Sequence, residues 1–239
     1  MPRINRIGFI LICFYIITFT GPDYALASEN QIPMSKDRLA AVLEEARKEF
    51  GKIKTLKTKL TQEKNISLFA VPVVSQGLFL FKTPDKIRFE FLTPFQSALI
   101  VNQKRISKYE MVNGQWKRLG QGDQRIAGII LEHMAAWMKG DFNHGNLYRV
   151  SGKHTPGTTP EHPGAVTLIL TPKAEEFRAF IRAFELGINK DLNRIDYIVI
   201  REKDEDFTKI AFLDDRINRP LDDLFFTGTD LGPVSVPPW

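Results

Sequence analysis

The sequence predicts an α+β fold that consists mainly of antiparallel strands. Apolar and polar residues alternate in many short runs, which is the period of a half-buried strand. Tight turns separate these runs, whereas parallel pairing would need crossovers of about a dozen residues or more. One amphipathic helical segment precedes the strands, and one almost wholly apolar helical segment interrupts them.

Composition and charge exclude several classes of protein. The chain has 239 residues, of which 43% are hydrophobic and 26% are charged, as in an ordinary globular domain. Its 33 Lys and Arg residues are interspersed with 28 Asp and Glu residues, for a net charge of +5. No basic run is dense enough to bind a polyanion, so we predict no nucleic-acid partner.

The beginning of the chain has the pattern of a secretory signal peptide. Arg3 and Arg6 precede an apolar run, and Ala25-Leu26-Ala27 supplies a small-x-small cleavage site. The apolar run is shorter than the roughly 20 residues that a spanning helix needs. We therefore expect residues 1–27 to be a signal peptide that is cleaved before Ser28, leaving a single exported domain over residues 28–239.

The single cysteine bears on export and stability. Cys13 lies inside the apolar run and follows Ile12, where a lipoprotein signal would need a small residue. The mature chain is therefore expected to carry no lipid anchor of its own. Without cysteine it cannot form disulfides, so its stability must come from packing.

The first structured element is predicted to be a helix. Ser35 has the character of an N-cap, and apolar residues recur at helical spacing over residues 35–51 until Gly51. From Leu56 onward the apolar period changes to two. The predicted strands in this part of the chain cover residues 54–66, 73–82, 86–92, 97–102, 105–111 and 114–119.

A second predicted helix, over residues 124–139, is apolar around most of its circumference. Such a helix needs burial on more than one side, and over a half-open sheet it would act as a lid or plug. A polar loop rich in Pro, Gly and Thr follows at residues 151–164. Strands are then predicted at residues 164–171, 178–188, 193–202 and 206–213.

Sequence motifs for catalysis and cofactor binding are absent. The chain has no phosphate-binding glycine loop, HExxH motif, nucleophile elbow or cysteine pair, so we predict no cofactor and no catalytic residue. His144, His154 and His162 with Asp141 could be drawn as a zinc site, but their spacing matches no ligand motif. We predict no metal site.

An apolar face rich in phenylalanine is the candidate functional surface. Alternation places Ile87, Phe89 and Phe91 on one side of a strand, and the preceding turn allows neighbouring strands to join that side. The side chains assigned to this face are Phe79, Phe81, Ile87, Phe89, Phe91, Leu99 and Val101. The face is either a filled core, the usual fate of such residues, or a cavity that accepts hydrocarbon.

Several short motifs then occur in a characteristic order. Gly77-Leu78-Phe79-Leu80-Phe81-Lys82-Thr83-Pro84 leads into Ile87-Arg88-Phe89, which resembles the early strands of the periplasmic outer-membrane lipoprotein carriers, the LolA family. The resemblance spans about residues 35–239. Further matching elements are Leu60-Thr61-Gln62, Pro94 to Ser97, Tyr109, Leu170-Thr171-Pro172-Lys173 and Leu224-Phe225-Phe226.

This resemblance implies a fold and a function. The implied fold is an incomplete, half-open antiparallel β-barrel with helices covering its concave face. The implied function is to receive acylated lipoproteins from an inner-membrane ATP-driven exporter and to deliver them to an outer-membrane acceptor. We expect a monomer that approaches membranes transiently, in the periplasm.

The resemblance also assigns roles by position. Phe79, Phe81, Ile87 and Phe89 would line the acyl-chain pocket. The lid would comprise the apolar residues of the second helix and its C-terminal end, namely Ile126, Ile129, Ile130, Met134, Trp137 and Met138.

One departure from the family concerns lid control. The well-known carriers have a lid-tethering arginine just before the proline of the Lys-x-Pro run, where this chain has Thr83. Arg88 is a candidate substitute, although alternation places it opposite Ile87 and Phe89. Two other functions stay open: a carrier or sensor for another lipid or polyketide, and an enzyme that modifies envelope lipids.

Overall fold

A computed structural model describes residues 31–103, 105–120, 125–155, 165–229 and 231, and the side chains of residues 125–127 and 204 are outside this description. The predicted signal peptide and His162 lie outside the described residues. The helices are α1 (Lys36–Phe50), α2 (Arg125–Trp137) and α3 (Glu175–Arg178). The strands are β1 (Ile32–Pro33), β2 (Thr55–Asn65), β3 (Val73–Lys82), β4 (Lys86–Thr93), β5 (Ser97–Asn102), β6 (Arg105–Val112), β7 (Gln115–Arg118), β8 (Tyr148–His154), β9 (Val166–Pro172), β10 (Ile181–Ile188), β11 (Ile195–Glu202) and β12 (Phe207–Ile217).

All described strands belong to one antiparallel sheet. Its order is β1-β8-β9-β10-β11-β12-β2-β3-β4-β5-β6-β7, so β1 and β7 are edges and the sheet is not closed into a barrel. Two meanders, β2 to β7 and β8 to β12, join where β12 pairs with β2. The predicted α+β class with an incomplete antiparallel barrel is confirmed.

Helix α1 forms where the sequence predicts it. The Ser35 hydroxyl oxygen accepts a hydrogen bond from the Arg38 backbone N–H at 3.3 Å and so caps the first turn. Val42, Ala46 and Phe50 follow at helical spacing and are buried. This apolar stripe holds α1 against the inner face of the sheet, which is the concave face covered by the helices.

Three sequence predictions are wrong at element boundaries. Strand β8 occupies Tyr148–His154, so the predicted loop at 151–164 begins later than expected. Its last two inward positions are Gly152 and His154, which have no apolar side chain, so the alternation is incomplete and did not indicate a strand. The predicted strand 178–188 begins only at Ile181, after the short helix α3, and β12 continues past residue 213 to Ile217.

The sheet buries apolar side chains on both faces. The larger cluster fills the inner face and contains residues of α1, α2 and most strands. A smaller cluster lies on the outer face, where Leu78, Leu80 and Ile100 pack against Phe226 of a 3₁₀ turn at Asp223–Phe226. Among the described helices, none has the length and apolar character needed to cross a membrane.

Candidate functional site

The predicted phenylalanine face forms two cross-strand rows on the inner face. Phe79 of β3 lies opposite Phe89 of β4, and Phe81 lies opposite Ile87. The Phe79 and Phe89 ring centroids are 4.8 Å apart. All four side chains are at most 4% exposed. Direct pairing on one face explains why these residues contact one another.

The other predicted pocket residues extend these rows. Leu99 lies opposite Phe89 and Val101 lies opposite Ile87 on β5. Val101 is buried, whereas Leu99 and Phe91 are partly buried and pack against the same cluster. The structure thus brings all seven predicted side chains to one surface.

Gly77 allows β4 to approach β3 closely at the margin of this surface. A Cβ atom at position 77 would lie 1.9 Å from the Glu90 carbonyl oxygen. The pairing of β3 and β4 also shifts register between Gln76 and Gly77. Any side chain here would force the two strands apart, which explains the glycine of the motif.

Helix α2, the predicted lid, packs against strand β4 of the phenylalanine rows. Met134, Trp137 and Met138 are at most 2% exposed and belong to the same cluster as Phe79 and Phe89. Because the face and the lid are both apolar, their contact is stabilised by the burial of hydrocarbon surface.

The remaining predicted lid residues are placed differently. Ile130 is partly buried against the cluster, whereas Ile129 is 39% exposed and faces away from it. The side chain of Ile126 lies outside the described residues. Leu131 and Ala135, which were not assigned to the lid, are buried in the cluster.

Of the two interpretations of this face, the filled one describes the part formed by Phe79, Phe81 and Ile87, because these side chains are fully buried. The cavity beside Met138, lined also by Phe50 and Phe212, measures only about 10 Å³. A site for a small ligand has about 300 Å³ or more. In the described part of the chain, the side chains of the lid itself occupy the concave face.

The C-terminal meander contributes lid contacts that the sequence reasoning missed. The Trp137 ring lies 5.0 Å from the Phe184 ring and 6.3 Å from the Tyr148 ring, measured between centroids. Leu168 and Leu170 of β9 complete the buried surface on this side. Their apolar alternation was visible in the sequence, but nothing indicated that β12 would pair with β2 and bring both meanders under one helix.

The comparisons with known proteins agree with this arrangement. The sequence model of the family described as outer membrane lipoprotein carrier protein LolA matches residues 51–229, which is most of the chain. The chain belongs to the LolA family. No curated protein sequence matches it significantly. Members of the family are carrier or binding proteins, and the fold is compatible with binding of lipids or lipoproteins.

The solved structures that are similar to this LolA-family chain have low sequence identity to it. A LolA superfamily protein from Nitrosomonas europaea is 13% identical, with 79% of this chain and 96% of that chain covered and a TM-score of 0.40. The Mycobacterium tuberculosis lipoprotein LppX is 11% identical, with 79% and 99% covered and a TM-score of 0.42. The Pseudomonas aeruginosa MucA/MucB complex contains a chain that is 12% identical, with 80% and 61% covered and a TM-score of 0.43.

The two candidate positions for lid control in this LolA-family chain have contacts with other segments. Arg88 lies on the outer face, where its guanidinium donates to the Glu90 carboxylate at 2.7 Å and to the Phe225 carbonyl oxygen at 3.0 Å. It therefore holds the C-terminal segment on the face opposite the lid. Thr83 lies in the β3–β4 turn, and its backbone N–H donates to the Lys54 carbonyl oxygen.

A polar contact lies inside the aromatic end of the lid of this LolA-family chain. The Tyr148 hydroxyl is hydrogen-bonded to Nδ1 of His133 on α2. Burial and, to a smaller extent, the nearby His144 together lower the pKa of His133 to about 4, whereas Glu132 opposes the shift. Burial also raises the pKa of Tyr148 above its usual value. Both shifts favour the neutral forms of the two groups, in which the Tyr148 hydroxyl can donate a hydrogen bond to an unprotonated Nδ1 of His133.

Acidification is expected to destabilise this end of the lid. The pKa of His133 is about 4 in the folded chain and about 6.5 when unfolded, so the unfolded chain binds the proton first. The free energy of unfolding should therefore fall by about 3 kcal/mol between pH 6.5 and pH 4 and be constant above this range. Urea denaturation at several pH values measures the slope.

A double variant provides the comparison for this pH dependence. His133→Phe/Tyr148→Phe removes the titrating group without leaving a buried hydroxyl unpaired. The slope between pH 6.5 and pH 4 should become shallower in this variant. An unchanged slope would assign the acid sensitivity to other groups.

Proposed function

We propose that the chain is a periplasmic carrier that shelters the acyl chains of lipoproteins beneath α2 and shuttles them from the inner membrane to the outer membrane. The observation that supports this most strongly is the packing of a single apolar helix, α2, against strand β4 of the paired phenylalanine rows. Membership of the LolA family favours carriage over catalysis.

The energetics of an acyl chain define what such a carrier needs. Sheltering a chain of about sixteen carbons from water gains roughly 10–12 kcal/mol, at about 0.8 kcal/mol per methylene. Moving the acyl chain from a bilayer into the pocket gains almost no free energy, because the lipid is as apolar as the pocket. Loading therefore requires energy from a partner, since the sequence contains no nucleotide-binding loop. We assign that role to an inner-membrane ATP-driven exporter.

The closed lid accounts for release. An acyl chain can reach Phe79 and Phe89 only by displacing Met134, Trp137 and Met138, which then lose their own burial. This competition weakens the hold on the cargo and favours transfer to an outer-membrane acceptor. Methionine suits both states because its flexible, polarizable side chain adapts to different surroundings.

The proposal includes export of the chain. Residues 1–27 would be removed, and residues 28–239 would act as a single monomeric domain that approaches both membranes transiently.

Phe89→Asp is expected to abolish acyl-chain uptake. A carboxylate in the middle of the phenylalanine rows would have to lose its hydration whenever hydrocarbon or the lid covered it. The measurement is titration of the purified chain with a fluorescent fatty acid. Because Phe89 is buried, Phe91→Asp provides a second variant at a partly buried position of the same surface.

The control and the alternatives need separate measurements. Leu224→Asp places the same charge on an exposed position of the outer-face turn and should leave uptake unchanged. Uptake at the wild-type level by both Phe89→Asp and Phe91→Asp would contradict the proposed pocket. Mass spectrometry of lipid extracted from the purified protein identifies the acyl cargo, and turnover of that lipid without a partner would indicate an enzyme instead.

A further inference from the structure

The hairpin loop between β2 and β3 is the most exposed apolar segment of the described chain. Residues 67–74 are all exposed, and Leu68 and Val71 are 85% and 69% exposed. From Asn65 to Gln76 the sequence contains no charged residue. Apolar exposure of this density on one segment marks a site of interaction with a membrane or another protein.

The apolar side chains of this hairpin point in more than one direction. Val73 and Val74 are consecutive residues of β3, so their side chains project to opposite faces of the strand. Both are nevertheless exposed, at 42% and 56%. A partner that contacts only one face would leave the other apolar face in water, whereas a fluid bilayer interface surrounds an inserted hairpin on all sides.

The base of the hairpin is held rigidly by the sheet. Val73 pairs with Lys64, and the Ser67 backbone N–H donates to an Asp206 carboxylate oxygen at 2.7 Å. The Phe69 backbone N–H donates to the Ile66 carbonyl oxygen at 2.8 Å. The loop is thus a structured projection, and its apolar exposure does not arise from a loose segment.

Other exposed apolar residues lie at the same end of the sheet. Phe95 follows β4 just beyond the pair of Gln76 and Thr93, and Phe180 precedes β10 beside the β11–β12 turn. The lid reaches this end as well, because the rings of His133 and Phe177 are 5.8 Å apart. A membrane or protein that binds at this end would therefore lie near the lid of the candidate pocket.

The charges beside the hairpin indicate which kind of bilayer fits. Charges of both signs lie next to its base. Glu205 and Asp206 share a turn with Lys203. Lys64 forms an ion pair with Glu202 at 3.5 Å. The hairpin itself is neutral, so neither the tip nor its mixed surroundings would be attracted to a strongly anionic surface. A zwitterionic bilayer interface is the complementary partner.

We propose that the β2–β3 hairpin inserts into the interface of a zwitterionic lipid bilayer and docks the chain on the membrane. The inference rests on the proposed carrier function, for which it supplies the element that contacts the membrane. Leu68, Phe69 and Val71 enter the interface, and the charged turn stays in the aqueous headgroup layer.

The test is flotation of the chain lacking residues 1–27 with vesicles of phosphatidylcholine. The wild-type chain should float with these vesicles, and Leu68→Ser/Val71→Ser should lower the partition coefficient roughly tenfold or more, since two large apolar side chains lose their insertion. Leu224→Ser, at an exposed leucine on the outer face, should bind as the wild type does.

Three outcomes would overturn the docking proposal. One is no binding of the wild type to phosphatidylcholine vesicles. Another is binding that requires added phosphatidylglycerol, disappears in high salt and is unaffected by the hairpin substitutions. The third is a wild-type dimer that the substitutions dissociate, without any vesicle binding, since this would assign the hairpin to contact with a second copy.

Fatty-acid uptake in the absence of vesicles separates this inference from the proposed function. Loss of vesicle binding by Leu68→Ser/Val71→Ser with normal uptake would support a docking role distinct from the pocket. Hairpin-dependent vesicle binding by a wild-type chain that takes up no fatty acid would support docking and contradict the carrier.

Discussion

Trp137→Ala is expected to lower the free energy of unfolding by about 3–5 kcal/mol while raising the affinity for an acyl chain. Trp137 is fully buried between the lid and the C-terminal meander, so its removal costs both transfer energy and a cavity. In the proposed carrier this cost falls mainly on the closed conformation. For every 1.4 kcal/mol by which the substitution destabilises the closed conformation relative to the open one, the apparent affinity for the acyl chain rises about tenfold.

Stability and acyl-chain affinity are measured for Trp137→Ala and for a matched control, Phe226→Ala. Phe226→Ala removes a side chain that is 1% exposed in the outer-face cluster, so it should destabilise the fold without changing uptake. Urea denaturation gives the stability, and titration with a fluorescent fatty acid gives the affinity. A Trp137→Ala variant with unchanged or weaker affinity would show that lid and acyl chain do not compete.

Arg88→Met should destabilise the fold by about 3–5 kcal/mol. Arg88 and Glu90 are 3% and 1% exposed, and their ion pair lies between the sheet and the C-terminal segment. Removal of the arginine leaves the Glu90 carboxylate buried without its charge partner. It also removes the donor to the Phe225 carbonyl oxygen, so the 3₁₀ turn should detach more readily.

The double variant tests the cause of this loss. Arg88→Met/Glu90→Leu removes both charges and should recover most of the stability, because replacement of a buried pair by apolar residues is often nearly neutral. Chemical denaturation measures both variants. Arg47→Met breaks an exposed pair with Glu44 and should produce no resolvable change. Equal destabilisation by the single and double variants would show that packing, rather than the unpaired charge, dominates.

Local sequence pattern predicted the strands of the first meander well. Alternation over residues 73–82 and 86–92 agrees closely with β3 and β4, and it places Phe79 and Phe89 on one face. The reason is physical: a strand with one face in the core has only one register that buries its apolar side chains. The same argument correctly placed Arg88 on the other face.

Burial of the lid was predictable only in part. The apolar circumference of residues 124–139 indicated a helix with more than one buried side, and Met134 and Trp137 are indeed buried. Their partners Tyr148 and Phe184 belong to distant strands. Such contacts depend on long-range pairing, about which local periodicity carries no information.

The amino-acid sequence by itself determined the class of fold, the phenylalanine rows, the apolar helix and the resemblance to the LolA family. These properties depend on side-chain periodicity and short motifs, which are local. Only the tertiary structure decided that the lid fills the concave face, that Arg88 secures the C-terminal segment, and that an apolar hairpin projects from one end of the sheet. Each of these depends on which distant surfaces meet and which find no partner, as where β12 pairs with β2, and local periodicity carries no such information.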